Sequence, residues 1–485
     1  MDAKLNVGCL TKAIPTDQID QFLNQILEPL KSELVEMLEQ FAAHEPTPAG
    51  TLQAENALAD RLRTIGREIV AWLFSQIEPP VEQMPGTIVH RGESHRRLAD
   101  KAPRTDVVTR FGKISLIRAR YRRGRSGKTV FPLEILLGIE DGVTPAAATR
   151  IGKAFAATGS TQGRTLEMIE DQMGKRIGTG KLRRLIATLA GSMEPLRQDA
   201  QVGKLMKLIE QARAKEGDPV LSVSRDGVAL GLAPWSFFEM AAVACVSVIA
   251  GGKKLGTVYL GRVPETNQAT LSNQLTDLLR ATVRRCGSAL PRIVYVSDAG
   301  KVETAYWKNT LRKFFVDGRR IKITRVVDYY HAAERLGTIA GALKLDKTRR
   351  QEWVEHVRGL LLQPGGHGRV LRSIAKMREL HGYKKSEAAD AQTAEKYLRR
   401  YRRFMDYASM REQGYPIGSG VVESACKQIV SERMKLSGMR WHKPGGQHTM
   451  TLRCLLLSGI WDTVYKHWLA SKPTVSDLLP SQTAA

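Results

Sequence analysis

A multidomain α/β protein is what this sequence predicts, and three observations carry the prediction. The chain has 485 residues, more than one ordinary domain accommodates. Long stretches near the start, and from residue 332 to 412, carry the apolar spacing of helices. Between them, residues 216–331 read as β-β-β-α-β-α-β, the element order of a mixed sheet flanked by helices.

Residues 1–86 form the first region. "TDQIDQFLNQILEPLKSELVEMLEQFAAH" sets Ile19, Phe22, Leu23, Ile26 and Leu27 at helical spacing, and Pro29 and "EPTPAG" punctuate it. "LQAENALADRLRTIGREIVAWLFSQI" supplies a second amphipathic helix. An ordinary helical core is expected here, with dimerisation or end binding as the functional alternative. Residues 87–145 form a basic β-hairpin region. In "DVVTRFGKISLIRARYRRGRSGK", β-branched runs flank Gly112-Lys113. Thr109 to Lys128 carries eight Lys or Arg and no acid. Such a run either protects an edge strand or binds phosphates. Eight uncompensated charges favour a DNA-binding ribbon, with Arg118, Arg120, Arg122 and Arg123 as contacts.

Residues 146–215 have helix-turn-helix character. Two helices flank Gly174, and "TGKLRRLIATLA" would be the recognition helix, presenting Lys181, Arg183 and Arg184. In residues 216–331, "PVLSVSRDGVAL" reads as a strand ending at Asp226, and "PRIVYVSDAG" as one ending at Asp298. "IKITRVVDYYH" is a further strand. Residues 332–415 are basic and helical, residues 416–468 return to the sheet domain, and residues 469–485 have a disordered composition.

Composition narrows the function class. The net charge is +25, from 74 Lys and Arg against 49 Asp and Glu. A field of that sign concentrates polyanions, and nucleic acid suits a folded basic chain best. No run of 18 apolar residues is present, so no membrane span is expected. The N-terminus lacks the pattern of a signal peptide. Five scattered cysteines with no Cys-x-x-Cys pair point to a reducing cytoplasm and away from structural zinc.

A strand-ending Asp before a small residue is often only a turn former. Two of them at corresponding strand ends can meet at the sheet centre. Adjacent carboxylates repel, and a divalent cation relieves that repulsion. Oxygen ligands suit magnesium or manganese. Glu423, in the first turn of a predicted helix beyond the helical stretch, is the candidate third acid. A first-turn glutamate also simply suits the helix dipole.

These motifs resemble those of prokaryotic insertion-sequence DDE transposases of the ISKra type, which are similar to the Mutator-like superfamily. "SVSRDG" is similar to the first Asp motif, "YVSDAG" to the second and "IGSGVVESACKQIVSERMKLSGMRW" to the Glu motif. "DYYH" resembles the Asp/Cys-x-x-His signature, and "TRFGKISLIRARYRR" the hairpin that precedes the catalytic domain. The likeness spans roughly residues 105–465. It implies a ribonuclease H-like catalytic domain interrupted by a helical insertion. It implies Asp226, Asp298 and Glu423 as ligands of two magnesium or manganese ions. The implied activity is cleavage and joining of double-stranded DNA at transposon ends and target, by a homodimer or higher oligomer working at the bacterial nucleoid. The 125 positions between Asp298 and Glu423 lead to the expectation that residues 332–412 fold out as a separate lobe.

Other residues carry two readings each. Asp328 and His331 either start a turn and pack on the next helix, or orient DNA or the second carboxylate as accessory groups. Trp441 either packs in the core or stacks on an unpaired base. Arg433, Lys435 and Arg440 either contact phosphates or form a solvated basic face. Ser419 is read as a helix N-cap. Gly227 and Gly300 allow close approach or a turn. A nuclease of the same fold that never joins, and a catalytically silent DNA-binding descendant, are the alternative functions.

Overall fold

The computed structural model describes residues 9–480 apart from residues 44, 46, 175, 215–216 and 235–236. The chain divides into two compact units, each mixing helices with strands. One comprises Met1–Phe155, Ser160–Ser192 and Tyr465–Ala485, the other Ala156–Gly159 and Met193–Val464. Among the described residues no helix is long and apolar enough to cross a membrane.

The first unit begins with helices Thr16–Ala42 and Pro48–Ile77, joined through stacked Phe22 and Trp72 rings 4.1 Å apart. Pro29 lies inside the first helix rather than breaking it. A helix of 27 residues loses one backbone bond there and continues on both sides. Neither helix buries a residue, so the pair lacks the ordinary core expected of it. The end of the second helix packs Val70, Ala71 and Phe74 against Val107, Ile114 and Leu116.

Six strands follow: β1 (Thr87–His90), β2 (Glu93–Arg97), β3 (Ala102–Thr109), β4 (Gly112–Arg118), β5 (Tyr121–Arg122) and β6 (Thr129–Val130). β3 and β4 form the expected hairpin, turning through Arg110-Phe111, and β1-β2-β5-β6 form a separate antiparallel sheet. Helices Gln162–Met173 and Thr179–Met193 flank Gly174, whose φ of +67° ends the first of them. The tail departs from expectation. Helix Val475–Leu478 is closed by a capping box between Thr474 and Asp477. Leu478 is buried with Leu10, Met84, Ile88 and Tyr121, and this apolar anchor orders the segment. Residues 481–485 of the expected disordered tail lie outside the described residues.

The second unit is built on β7 (Val220–Gly231), β8 (Phe238–Ala250), β9 (Lys253–Arg262), β10 (Arg292–Ser297) and β13 (Ile323–Val327), with a small hairpin of β11 (Phe315–Val316) and β12 (Arg319–Arg320) before the last. The sheet order is β13-β10-β7-β8-β9. β8 runs antiparallel to both β7 and β9, whereas β10 is parallel to both β7 and β13. Strands in the parallel part are apolar on both faces, so both faces need a cover. Ile293 and Tyr295 of β10 face helices Arg197–Ala214 and Ala269–Cys286 through Leu205, Ile209, Leu275 and Leu279. Residues up to 215, grouped by sequence with the helix-turn-helix region, thus include a helix of the sheet.

Val294 and Val296 point the other way, and the helices after β13 cover them. Leu336, Ile339, Trp353, Leu398 and Tyr407 join Val294, Val296 and Val326 in one core. The segment 332–412 therefore does not fold out as a separate lobe. Its apolar stripe is the lid that the second face of β10 and β13 requires. Beyond it, Val422, Ala425 and Ile429 pack on Val243 and Cys245 of β8.

Leu478→Ala should destabilise the first unit by about 2–5 kcal/mol, the usual cost of truncating a buried leucine. Urea unfolding checks it, and an unchanged midpoint would mean that the tail is not docked.

Candidate functional site

Strand register brings three aspartates together. Val296 of β10 pairs with Ser224 of β7, and Ser297 pairs with Val327 of β13. Continued one or two residues, the same registers set Asp298 between Asp226 and Asp328. β7 does not end at Asp226, as expected from sequence. It runs on to Gly231 paired with β8, while its pairing with β10 stops at Ser224. Asp226 thus sits where the two strands part, with one flank open.

Asp298 begins a tight turn. Gly300 N–H donates to Asp298 Oδ1 at 2.9 Å, and Ala299 adopts a φ of +64°. Left-handed backbone at an alanine is strained and persists only when its surroundings hold it. Here Tyr397 Oη donates to the Asp298 carbonyl at 2.8 Å, and Tyr401 Oη and Thr304 Oγ1 donate to the Ala299 carbonyl at 3.2 and 3.1 Å. Gly300 has ordinary φ, so space decides its identity. A Cβ there would collide with the Glu303 carboxylate and lie 3.3 Å from both Asp298 oxygens. Gly227 is similarly confined, its Cβ position being 2.8 Å from Met240 Cε.

Negative charge accumulates here without full compensation. Burial pushes the Asp226 carboxyl up to about 6, and the charges of Asp298 and Glu423 add to the rise. Glu303, which the sequence reading missed, is also raised by burial, with Asp298 and Asp226 contributing. Its only sequence signal is an acid in the first turn of helix Lys301–Asn309. Behind the pair lies the buried Arg225 guanidinium, 4.0 Å from Glu303, bonded to Ser272 Oγ and Gln268 Oε1 and stacked over Tyr306.

Asp328 is fully buried and caps helix Tyr329–Ala342. Its Oδ1 accepts the backbone N–H of Tyr330 and of His331, and its Oδ2 accepts the N–H and the hydroxyl of Ser419. Ser419 Oγ lies 2.8 Å from Glu423 Oε1 as well. A hydroxyl has one proton, so Ser419 donates to only one of the two acids at a time. Ser419 is the N-cap residue of the helix Gly420–Cys426, as the sequence suggested, but its side chain makes no capping bond to that helix. Gly418 is fixed by the Tyr330 ring, which a Cβ would strike at 2.8 Å. Glu423 is held over the aspartate row by this loop, and its helix continues through a π-helical turn, Lys427–Ser431. The Arg453 guanidinium takes the Gln428 and Ile429 carbonyls that the wide turn exposes.

Among the described residues, Asp328, His331 and Glu423 offer ligand atoms within 4.8 Å of one another. Asp328 has both oxygens saturated by four donors, so its role is to hold rather than to ligate. Asp226 and Asp298 belong to no such group among the described residues: their carboxylate oxygens and those of Glu423 do not all come within 4.8 Å of one another. His331 lies 3.8 Å from Asp328, whose carboxylate lifts its imidazole to about 9.

The predicted DNA contacts divide by exposure. Arg118 is buried, paired with Glu134 and stacked 3.8 Å over Phe131. Lys181 is tied to the Asp106 side chain and carbonyl at 3.0 and 2.8 Å. Arg120 and Arg123 meet Asp100 and Glu93, and Arg122 bonds Thr129 Oγ1. The ribbon's charges are thus partly compensated by acids distant in sequence. Arg183 and Arg184 remain exposed, the first on Gln162 and the second 3.7 Å from Asp141. In the second unit, Arg433 is fully buried, and burial lowers its guanidinium to about 10. Lys435 and Arg440 face solvent. Trp441 packs with Leu232 and Val263, and its indole N–H donates to the Met434 carbonyl at 2.8 Å. Its backbone bridges to Leu232. That anchoring packs the half-buried Trp441 against the core. Arg118, Lys181, Arg433 and Trp441 are therefore not the free DNA contacts that charge and position suggested. The chain matches no family model and no curated protein.

Burial raises the Asp328 carboxyl, but bonds from His331 and Ser419 outweigh it and hold the group at about 2, below its ordinary 3.8. Its stabilising contribution is present above pH 3.8 and lost as pH falls through about 2. The His331 contribution has the opposite sign, complete below pH 6.5 and lost as pH rises through about 9. NMR titration should find the His331 imidazole near 9, and Asp328→Asn should lower it towards 6.5. An imidazole titrating near 6.5 in both proteins would contradict the pairing.

Proposed function

We propose that this protein is a DDE transposase of the ISKra type, with a ribonuclease H-like catalytic domain formed by the five-stranded sheet and the helices that carry Glu423. The observation that carries the reading is that strand register leads Asp226 and Asp298 to neighbouring strand ends, while Ser419 ties Glu423, from beyond a long insertion, to Asp328 at the end of the next strand. Three antiparallel strands followed by two parallel ones, in the order β13-β10-β7-β8-β9, support the same domain assignment. The basic chain, at +25, supports DNA as substrate.

In this reading Asp226, Asp298 and Glu423 hold two magnesium or manganese ions. When bound, such ions activate an attacking oxygen and stabilise the leaving oxygen of an in-line phosphoryl displacement. The chain's own contribution is placement. The Tyr397 and Tyr401 hydroxyls fix the Asp298 turn, the Asp328–Ser419 bonds fix the loop that carries Glu423, and Gly300 leaves room for the carboxylates. Lys435 and Arg440, exposed beside the Glu423 helix, supply phosphate contacts, as do Arg183 and Arg184 in the other unit. The protein would act in the cytoplasm on nucleoid DNA, as a dimer or higher oligomer because two transposon ends must be held at once.

Asp226→Ala, Asp298→Ala and Glu423→Ala should each reduce metal-dependent cleavage by at least about 10²-fold while leaving DNA binding intact. Supercoiled plasmid nicking in magnesium and manganese checks this, and full cleavage by any variant removes that residue from the triad. Pre-cleaved ends should be joined to target DNA; nicking without joining would indicate a nuclease, and neither activity a silent DNA-binding descendant.

A further inference from the structure

The helix that steadies the Asp298 turn has a second, solvent-exposed face. Helix Ala388–Tyr401 buries Ala391, Ala394, Glu395 and Leu398, and its Tyr397 and Tyr401 hydroxyls reach the Asp298 and Ala299 carbonyls. On the opposite side stand Lys396, Arg399 and Arg400, continued by Arg403 in the 3-10 turn that follows. Their spacing is i, i+3, i+4, i+7, so they form one stripe. All four are exposed. Before the stripe on the same side stand Ala389, Gln392 and Thr393, and the exposed Asp390 lies on another side of the helix. Among the described residues, Arg399 alone of the four has an ion pair, with Glu395 at 3.9 Å.

We infer that this stripe is a phosphate-binding ridge that seats one strand of DNA; the inference rests on the DNA-processing reading above. Seven residues of helix span about 10 Å. A DNA strand carries one charge per about 3.4 Å along the axis, so the stripe faces about three phosphates. Crowding of like charges favours a polyanion here. Arg399 and Arg402 both act on His367, whose ring nitrogen bonds the Leu398 carbonyl at 3.0 Å. Arg335 adds a further cation, stacked 5.3 Å over the Tyr397 ring whose hydroxyl holds Asp298. One helix therefore joins a cationic outer face to an inner face that grips the carboxylate turn. A strand lying on the ridge is registered against Asp298 by a rigid element rather than by a loop. The insertion gains a role beyond covering the sheet.

The test measures binding of the full chain to a random-sequence duplex by fluorescence anisotropy in EDTA, across a salt series. The variant combines Lys396→Gln, Arg399→Gln, Arg400→Gln and Arg403→Gln, which keep the exposed stems. The control replaces Arg312, Lys313, Arg319 and Arg320 by Gln, exposed cations of equal number beside the Leu311 and Val316 core on the other face of the sheet. The ridge variant should bind more weakly, with the slope of log affinity against log salt reduced by about 3, while the control changes little. Equal losses in both, or an unchanged slope in the ridge variant, would overturn the inference. Loss of binding to phosphatidylserine vesicles with DNA binding retained would overturn it too. Because EDTA excludes cleavage, these outcomes are independent of plasmid nicking. A transposase reading that fails the nicking assay would leave the ridge result standing on its own.

Discussion

The buried carboxylate of Asp328 is the point through which the site is assembled. It ends β13, caps the helix that begins the insertion and accepts two bonds from Ser419, 91 positions later. Together with the Tyr329 N–H, which donates to the Ile417 carbonyl at 2.8 Å, and Arg292 of β10 on the Gln413 carbonyl, it anchors the loop before Glu423 to the sheet. A buried charge is costly unless its hydrogen bonds are complete, and here four donors complete them. The same bonds that stabilise the carboxylate therefore fix the approach of a segment far away in sequence. Tyr407 extends the clamp by donating to the Asp328 carbonyl at 3.4 Å.

Around that anchor the protein keeps an electrostatic conflict. Asp226, Asp298, Glu303 and Glu423 lie near one another, and buried Arg225 and charged His331 offset only part of their repulsion. Folding alone gives no reason to gather these acids. Positive-φ Ala299, held by Tyr401 and Thr304, shows that backbone strain is maintained at the same place. A bound divalent cation would turn the conflict into an attraction.

Much of this was legible in the sequence because strands announce themselves by alternation and apolar runs. "PRIVYVSDAG" and "IKITRVVDYYH" gave their strands, and Asp before a small residue marked both aspartates. The hairpin of β3 and β4 followed from β-branched runs around a turn. What stayed hidden depends on partners distant in the chain. Eight charges between Thr109 and Lys128 look uncompensated until Glu134, Asp100 and Glu93 are seen to meet Arg118, Arg120 and Arg123. Arg433 reads as a surface cation, although a helix packed on the sheet buries it. Glu303 has no spacing that separates it from any first-turn acid. The insertion was expected to swing clear because length alone was considered, yet the runs in β10 and β13 are apolar on both faces and demand a cover.

The central claim is that Asp226, Asp298 and Glu423 act together as a divalent-cation site. Anomalous diffraction from crystals soaked in manganese tests it most directly. The account predicts two peaks about 4 Å apart, with Asp226 and Asp298 carboxylates against them and Glu423 completing the set. A single peak held by Asp328 and His331, or none near Asp226, would contradict it.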